Sequence, residues 1–345
     1  MHSAAELTAQ ADLSSLNSFG VRASAAWLAR AETEAQLLGA LDRAAQWQLP
    51  VQVLGGGSNV LIVDDLDAMV LLPRLRGIEW LGAAGNRIHV RAAAGENWHA
   101  FVAATLAAGA FGLENLALIP GHVGAAPIQN IGAYGVELAQ FVVAVEAIDQ
   151  RGGRSCRIEA GDCGFAYRDS LFKRPEGAHL LITAVEFALH STPELVLGYA
   201  GVTEELGARG VDPPTPQAVF DAVVAIRRRK LPDPAVLGNA GSFFKNPWVS
   251  RQAADELKQR HPALPVYPVD EGTSKLAAGW LIDACGWRGY RDGDAGVHQQ
   301  HALVLVNYGR ARGADILQLA RRIQADVQSR FGVELEIEPR LLGMR

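Results

Sequence analysis

The stretch from Leu118 to Gly135, LIPGHVGAAPIQNIGAYG, strongly constrains what this chain can fold into. It is rich in glycine, proline and apolar residues, and it has neither the helical period of about 3.6 residues nor the alternation of a strand. A long apolar loop must satisfy its amide groups, because a buried N–H or C=O without a partner is costly. Two interpretations follow: a tightly packed structural loop, or a loop whose missing side chains let the backbone lie against a flat ring, as in a flavin.

The segment Gly238–Pro247, GNAGSFFKNP, is equally unusual. It has too much glycine for a helix and is too polar for a core strand, yet Phe243 and Phe244 are too apolar for an ordinary surface loop. We expect these aromatic side chains to anchor a loop that presents a hydroxyl, an ammonium and an amide to a polar ligand. Ser242 has no G-x-S-x-G frame and no neighbouring histidine, so its hydroxyl either caps a turn or donates a proton.

Three glycines at 55–57, followed by Ser58 and Asn59, lie between two predicted strands. Dinucleotide-binding and P-loop motifs instead need a helix after the glycines, and their spacing is also different. The run therefore predicts either a hairpin turn or a nest of backbone N–H groups that binds an anion.

Hydrophobic periodicity predicts helices at 34–47, 97–108, 217–229, 250–259, 274–285 and 314–330. It predicts strands at 51–54, 60–63, 87–92, 141–148, 180–187, 302–307 and 333–337. In the last strand apolar residues alternate with glutamates, so on pattern alone Glu338 is one more solvated side chain. Arg168 beside Asp169 is, on pattern alone, a local salt bridge or a carboxylate-binding group.

The chain of 345 residues is long enough for two or three domains, and 49% hydrophobic with 20% charged residues is ordinary for a globular protein. A net charge of −5 predicts no nucleic-acid partner, and the basic run 227–230 is expected to be a solvated helix end. The N-terminus has no basic start with an apolar core, and no run reaches membrane-spanning length. We therefore expect a cytoplasmic protein without a membrane partner.

The three cysteines, Cys156, Cys163 and Cys285, form no CxxC pair and are expected to be reduced thiols. His298 and His301 lack a carboxylate or cysteine companion at ligand spacing, so we expect no metal site.

Together these motifs closely resemble the family of UDP-N-acetylenolpyruvoylglucosamine reductases (UDP-N-acetylmuramate dehydrogenases), in the form with an extra tyrosine-bearing substrate loop. The resemblance covers nearly the whole chain. It is carried by NSFG at 17–20, GGGSNV at 55–60, GLEN at 112–115, the 119–135 stretch, YRDS at 167–170, KLPDP at 230–234, the 238–247 loop and KLAAGWLI at 275–282. The 112–135 and 238–247 stretches are highly specific when found in this order.

The resemblance implies an α+β fold, in which two FAD-binding subdomains of the vanillyl-alcohol-oxidase type are followed by a C-terminal α+β substrate domain. The implied boundaries are 1–68 with 331–345 for the first subdomain, 69–226 for the second and 227–330 for the substrate domain. The first subdomain would also receive the C-terminal strand.

The resemblance also implies NADPH-dependent reduction of UDP-N-acetylglucosamine enolpyruvate to UDP-N-acetylmuramate through FAD, in peptidoglycan precursor synthesis. This step serves cell-wall formation, cell shape and cell division. NADPH reduces the flavin, a hydride passes from flavin N5 to the vinyl methylene carbon, and a proton is added at the neighbouring carbon. The implied partners are this UDP-sugar and NADPH, and we expect a monomer.

By motif match, Ser242 corresponds to the proton donor, and Arg168 and Glu338 to the pair that stabilises the enolate-like intermediate. A cation suits the negative charge that develops there, whereas a glutamate helps only if it is protonated or moves a proton. The cofactor-binding residues implied are Gly55, Gly56, Gly57, Ser58, Asn59, Ile119, Gly121, Gly124, Ala125, Ala126, Ile131, Ile182 and Arg340. The substrate-binding residues implied are Tyr167, Tyr199, Lys230, Asn246 and Lys275, with Lys230 and Asn246 on the diphosphate side.

The chain departs from the family pattern at three places. Ala125 and Ala126 stand where some relatives have serines, so backbone N–H groups would have to replace two hydroxyl contacts to FAD. Tyr199 is the loop tyrosine, although its surroundings differ. Pro339 follows Glu338, whereas relatives usually carry the proline before the preceding glutamate position, and Glu338 is chosen over Glu336 by counting from Arg340 and Gly343.

Two alternatives remain open from the sequence. One is an FAD-dependent sugar or alcohol oxidase of the same superfamily, against which the 238–247 and 275–282 motifs argue. The other is a non-enzymatic nucleotide-binding sensor that uses the glycine loops only to bind phosphate.

Overall fold

The computed structural model describes residues 5–344. Its α-helices are α1 (Glu34–Gln46), α2 (Trp98–Ala107), α3 (Ala200–Ala208), α4 (Pro216–Lys230), α5 (Arg251–Arg260), α6 (Ala278–Ala284) and α7 (Gly313–Phe331). Its strands are β1 (Glu6–Asp12), β2 (Ser24–Ala31), β3 (Val51–Val53), β4 (Val60–Ile62), β5 (Leu66–Pro73), β6 (Ile78–Ala84), β7 (Arg87–Ala93), β8 (Gly132–Ala133), β9 (Val136–Glu137), β10 (Val142–Asp149), β11 (Arg154–Glu159), β12 (Leu180–His190), β13 (Gly238–Asn239), β14 (Trp248–Ser250), β15 (Val266–Pro268), β16 (Thr273–Leu276), β17 (Arg291–Asp292), β18 (Ala295–Val297), β19 (Leu305–Asn307) and β20 (Arg340–Leu342).

The chain forms two compact units, each built from separate segments. The first unit contains Met1–Ala11, Ala25–Gly56 and Asp67–Arg229, and the second contains Asp12–Ser24, Gly57–Leu66 and Lys230–Arg345. The three domain boundaries expected from the resemblance stay a prediction.

The described part of the first unit contains the small hairpin sheet β8-β9 and two larger sheets. One has four strands in the order β1-β2-β5-β3, and the other has five in the order β11-β10-β12-β7-β6. In the second sheet the long strand β12 pairs antiparallel with both β10 and β7, so Val185 faces Val145 on one side and Ala92 on the other. The rings of Trp98, Phe101 and Phe187 meet in the core. These apolar contacts fix the sheet that supports the long loop at 118–135.

Helix α1 shows how local sequence sets an element. Thr33 caps it by accepting a hydrogen bond from the Gln36 N–H at 3.2 Å. Leu37, Leu41 and Ala44 recur at helical spacing and are buried, so the amphipathic pattern faces the core as predicted. The other predicted helices at 97–108, 217–229, 250–259 and 314–330 are also confirmed within one or two residues.

The second unit contains the sheets β13-β19-β18-β17 and β14-β16-β15 and the parallel pair β20-β4. In the last pair Arg340, Leu341 and Leu342 lie beside Val60, Leu61 and Ile62. Helix α7 buries an apolar face and ends at Gly332, which adopts the left-handed conformation with φ +68°.

Two predictions for this unit are wrong. Residues 273–276 form strand β16, so the helix expected at 274–285 begins only at Ala278. The strand expected at 333–337 is absent from the described sheets, and the strand of this region is β20 instead. The predicted alternation is nevertheless present, because Val333 and Leu335 are buried while Glu334 and Glu336 are exposed.

Among residues 5–344, the helices are too short or too polar to cross a membrane.

Candidate active site

The glycine run at 55–57 is not a hairpin turn. Strand β3, before it, pairs in parallel with β5, whereas β4, after it, pairs in parallel with β20. In the first unit, a Cβ on Gly56 would lie 3.0 Å from Gly121 Cα, and a Cβ on Gly55 would lie 3.5 Å from Ala125 Cβ. Glycine at 56 therefore allows this loop to lie directly against the 121–125 backbone.

Some backbone N–H groups of these two touching loops donate hydrogen bonds within the chain, and others do not. Within residues 5–344, the N–H groups of Gly55, Gly56, Gly121 and His122 have no hydrogen-bond acceptor. Such donors on glycine-rich loops suit an anion, and a dinucleotide supplies one in its diphosphate. The residues present therefore fit the phosphate part of FAD.

The expectation for Ala125 and Ala126 needs correction. Their N–H groups donate to the His122 and Val123 carbonyls at 3.0 and 3.1 Å, and the Gly124 N–H donates to Ala94 O at 2.9 Å. These bonds close a short 3-10 turn, so the backbone N–H groups of the two alanines do not replace the missing hydroxyl donors.

The rest of the 118–135 stretch is a packed loop that bonds the chain itself. Asn130, in the left-handed conformation, donates to Glu137 Oε2 at 2.9 Å and accepts the Ala139 N–H at 2.9 Å. The Ser170 hydroxyl donates to Ile128 O at 2.7 Å. The packed-loop interpretation is therefore confirmed for this part of the stretch, and the contact with a flavin ring stays a prediction.

The Arg168 side chain is hydrogen-bonded to the 118–135 loop. Its guanidinium donates to Gly132 O at 2.9 Å and lies over the Tyr167 ring at 5.5 Å. Asp169 instead pairs with Arg174, whose Nη2 lies 2.7 Å from its carboxylate. The salt bridge with Asp169 that the pattern alone suggested is therefore wrong.

Arg227 joins Arg168 and was missed by sequence reasoning. It donates from Nε to Leu118 O at 3.1 Å and interacts with the Tyr134 phenol. Burial lowers the pKa of Arg227, and the charge of Arg168 adds to that effect, while the same burial raises the pKa of Tyr134. Two neighbouring guanidiniums favour an anionic group such as a carboxylate.

The basic run at 227–230 is thus only partly a solvated helix end. Arg228, Arg229 and Lys230 are exposed, but Arg227 is not. It lies four residues after the buried Val223, and this helical spacing was the available signal.

Tyr199 stands just before α3 at the end of an irregular loop. Its side chain is 47% exposed, and its ring meets that of Tyr134 edge to face, with centroids 5.1 Å apart. The two tyrosines therefore form one aromatic surface beside Arg227.

In the second unit, the Ser242 loop is anchored as predicted. Phe243 and Phe244 are buried and pack edge to face, and Phe243 also meets Phe19. Gly241 adopts φ +70°, and a Cβ there would meet no atom within 4 Å. Among the described residues, no side chain is hydrogen-bonded to the Ser242 hydroxyl, so no base activates it as a nucleophile.

Backbone pairing brings Glu338 beside this loop. The Glu338 N–H donates to Phe243 O at 2.9 Å, and the Lys245 N–H donates to Glu336 O at 2.9 Å. The Glu336 carboxylate is 66% exposed and forms an ion pair with Lys245 at 2.5 Å. Glu338 is partly buried, and its backbone lies next to the residue that follows Ser242.

The remaining substrate candidates of this unit lie on other elements. Asn246 accepts the Ala278 N–H at 2.9 Å and so caps α6. Lys275 is the central residue of a row across β14-β16-β15, between the half-exposed Trp248 and Tyr267. Lys230, the last residue of α4, is close enough to His301 to lower the pKa of that side chain, after burial and His298.

The remaining cofactor candidates are placed as follows. In the second unit, the Arg340 N–H donates to Asn59 O at 3.0 Å, which joins the strand β20 to the end of the glycine run. In the first unit, Ile182 and Ile131 are buried and Ile119 is partly buried. Among the described residues, no group of three or more His, Cys, Asp or Glu side chains could hold a metal ion.

Two family profiles match the chain. One, described as the C-terminal domain of UDP-N-acetylenolpyruvoylglucosamine reductase, matches residues 233–342. The other, described as an FAD binding domain, matches residues 25–158.

Similar proteins and structures agree with these matches. The chain is 51% identical to UDP-N-acetylenolpyruvoylglucosamine reductase of Pseudomonas fluorescens over 336 residues, or 97% of this chain and 99% of the relative. The crystal structure of the Thermus caldophilus reductase matches 98% of both chains, with a TM-score of 0.67 and 27% identity. A solvent-stable cholesterol oxidase shares the fold, with a TM-score of 0.51 and 13% identity over 97% of this chain and 87% of its own. The predicted α+β fold with an FAD-binding part is confirmed.

Proposed function

Because the chain belongs to the family of UDP-N-acetylenolpyruvoylglucosamine reductases, we propose that it reduces UDP-N-acetylglucosamine enolpyruvate to UDP-N-acetylmuramate. It is an FAD-dependent oxidoreductase of peptidoglycan precursor synthesis, with NADPH as the electron donor. The observation that carries the specific chemistry is the backbone pairing of the Ser242 loop with the segment of Glu338. The reductase profile over 233–342 argues against the oxidase alternative.

FAD, when bound, accepts two electrons from NADPH and passes them to the substrate as a hydride. The N–H groups of Gly55, Gly56 and Gly121 would hold its diphosphate, since residues 5–344 offer them no other acceptor. Gly57, Ser58, Asn59 and Arg340 complete the candidate set at the other end of the glycine run. The implied contacts through Ile119, Gly124, Ala125, Ala126, Ile131 and Ile182 are apolar, since the N–H groups of Gly124, Ala125 and Ala126 already bond the chain.

Arg168 and Arg227 bind the carboxylate of the enolpyruvyl group. Reduction pushes negative charge onto the carbon that bears this carboxylate, and fixed cations stabilise charge where it develops. Arg168 is preorganised by its bond to Gly132 O, and Arg227 by its bond to Leu118 O. Holding these groups in place lowers the cost of reorganisation during the reaction.

Ser242 donates the proton to that carbon. Gly241 places the hydroxyl on a turn without a side chain beside it, and the buried Phe243 fixes the turn. Glu338 lies on the paired segment and assists by moving a proton. The reaction consumes one NADPH and one proton and saturates the carbon–carbon double bond.

Tyr167, Tyr199, Lys230, Asn246 and Lys275 bind the UDP-sugar. A lysine supplies a point charge to the diphosphate, and the free amide hydrogens of Asn246 suit its oxygens. We place the enzyme in the cytoplasm as a monomer without nucleic-acid or membrane partners, where its product supports cell-wall formation, cell shape and cell division.

An anaerobic two-step assay tests this function. NADPH is expected to bleach the flavin absorbance of the purified protein, and the enolpyruvyl UDP-sugar is expected to restore it. A protein that cannot be reconstituted with FAD, or a reduced flavin that the UDP-sugar leaves bleached, would overturn the proposal.

A further inference from the structure

Asn115 lies in a buried 3-10 turn, Glu114–Leu116, and is only 2% exposed. The turn is fixed on both sides. The Trp98 indole N–H donates to Leu116 O at 2.9 Å, and the Gly112 N–H donates to Glu114 Oε2 at 2.5 Å. Asn115 therefore projects from a rigid support.

The Asn115 amide nitrogen donates two hydrogen bonds of 2.9 Å, one to Tyr134 O and one to Val196 O. These carbonyls belong to different loops, the end of the 118–135 stretch and the irregular segment 191–198. Both amide hydrogens are used, so a single side chain joins the two loops.

Each loop carries one ring of the aromatic surface. One bonded carbonyl belongs to Tyr134 itself, and Tyr199 follows the other, that of Val196, by three residues. The loops also touch directly, since a Cβ on Gly135 would lie 3.2 Å from a Val196 methyl group. The position of one ring relative to the other thus depends on the bridge at Asn115.

The segment 191–198 has further attachments: the Ser191 N–H donates to Asn86 O at 2.9 Å, the Glu194 carboxylate lies 2.9 Å from His190 Nδ1, and Leu195 and Leu197 pack against the core. Its ends are held by the pairing of His190 with Phe111 and by the Thr203 hydroxyl, which donates to Leu197 O at 2.7 Å. Val196 and most of its neighbours are exposed. If the bridge is removed, the Val196 carbonyl can therefore turn to water, and the loop moves while the fold remains.

We propose that Asn115 is a positioning residue for substrate binding: its two hydrogen bonds hold the Tyr199 loop against Tyr134 in the arrangement that receives the UDP-sugar. This inference rests on the proposed function, in which Tyr199 contacts substrate. A purely structural role for Asn115 would instead affect stability and leave substrate affinity unchanged.

Asn115→Leu, which keeps the volume and removes both donors, is the direct test. Loss of two hydrogen bonds raises KM for the enolpyruvyl UDP-sugar on the order of tenfold. The rate of flavin reduction at saturating NADPH and the FAD content stay unchanged, and the Kd of UDP-N-acetylmuramate measured by calorimetry rises in parallel. Glu114→Gln, in the same turn but outside the bridge, is the matched control and keeps the wild-type KM.

A double-mutant cycle with Tyr199→Ala separates the two roles. If Asn115 acts through the Tyr199 loop, adding Asn115→Leu to Tyr199→Ala raises KM no further. Fully additive effects, or an Asn115→Leu variant with unchanged KM and Kd, would overturn the inference. A wild-type protein that binds the UDP-sugar but does not reduce it contradicts the proposed function instead, while the calorimetric cycle still decides the role of Asn115.

If Asn115→Leu does not fold, Asn115→Asp carries the test. A neutral carboxyl group at 115 donates one hydrogen bond, whereas its ionised form donates none. The KM of this variant is therefore expected to rise with pH relative to wild type as the carboxyl group ionises. A pH profile parallel to that of the wild type would contradict the role in positioning.

Discussion

The position of the Ser242 hydroxyl is set by the residues next to it in the chain. Gly241 adopts a left-handed turn before it, and two buried rings follow it, each contributing about 1.5–3 kcal/mol by burial. Since none of the described side chains is hydrogen-bonded to this hydroxyl, the placement suits a proton donor better than a nucleophile.

Ser242→Ala is expected to leave the reduction of the flavin by NADPH intact. Reoxidation by the enolpyruvyl substrate should slow by roughly 10²–10⁴-fold, because proton donation is lost. Anaerobic stopped-flow absorbance measures both steps. The matched control is Ser250→Ala, which removes the cap of α5 and costs about 1 kcal/mol but keeps both rates. Equal slowing of both steps in Ser242→Ala would contradict the donor role.

The cysteine thiols are free, as predicted, and burial raises the pKa of each. Burial raises the pKa of Cys163 to about 12, and burial with the nearby Asp326 raises that of Cys285 to about 11. A raised pKa means less thiolate at a given pH, so labelling at about pH 8 should be slow and should accelerate as pH rises. Cys163 should react roughly a thousandfold more slowly than an exposed thiol. Mass spectrometry of labelled peptides measures this, and labelling in guanidinium chloride should remove the difference.

At the scale of elements, the glycine run behaves as two parts. Glycine at 56 allows one loop to contact another in the first unit, whereas Gly57 is required within the second unit. A Cβ on Gly57 would lie 1.9 Å from Leu16 O, and the residue has φ +62°.

Gly57→Ala is therefore expected to lower the free energy of unfolding by more than about 4 kcal/mol. Thermal unfolding measures the loss. Gly39→Ala is the control, because an added Cβ in helix α1 meets no atom within 4 Å and gains up to about 1 kcal/mol in helix propensity. Similar melting temperatures for the two variants would show that the contact at Leu16 relaxes.

Asn246 has a structural and a proposed binding role that can be separated. Asn246→Asp keeps an oxygen acceptor for the Ala278 N–H but removes the amide donor and adds negative charge. The free energy of unfolding should stay unchanged. KM for the UDP-sugar should rise at least roughly tenfold, because the new carboxylate repels the diphosphate. Asn246→Ala should lower stability by about 1 kcal/mol as well. Steady-state kinetics with thermal unfolding distinguishes the two, and an unchanged KM in both variants would remove Asn246 from the substrate site.

The two mispredicted elements have one physical cause. Helix α6 begins at Ala278 because Asn246, distant in sequence, caps it there, and Thr273–Leu276 finds two strand partners instead. The side chains of residues 333–336 alternate between buried and exposed, as in a strand. The backbone of this segment, however, pairs with the 243–245 loop only through an isolated β-bridge at Ile337. Local periodicity correctly predicted which side chains are buried, but it carries no information about the backbone partner.

At the scale of the whole molecule, the second unit gathers segments from the start and the end of the chain. Strand β20 pairs with β4, and the Val63 N–H donates to Leu342 O at 2.8 Å. The fold of this unit therefore depends on the last residues of the sequence.

A chain that ends after Pro339 loses β20 and the buried Leu342. Its melting temperature is expected to fall by roughly 5–10 °C, because a strand pair and a buried side chain are lost. A chain that ends after Gly343 keeps the pairing and serves as the control. Thermal unfolding followed by flavin fluorescence measures both, and equal melting temperatures would show that β20 adds little.

The sequence by itself determined the family, the fold class, most helices and the buried faces, because these depend on motif order and on neighbours along the chain. It also predicted that Phe243 and Phe244 anchor the Ser242 loop, with Gly241 in the turn before the serine. Only the tertiary structure decided that Arg227 turns inward beside Arg168, that Asp169 pairs with Arg174, and that Asn115 bridges two loops. These are contacts whose partners are fixed by packing and hydrogen-bond geometry, and a polar side chain chooses among such partners only after the chain has folded.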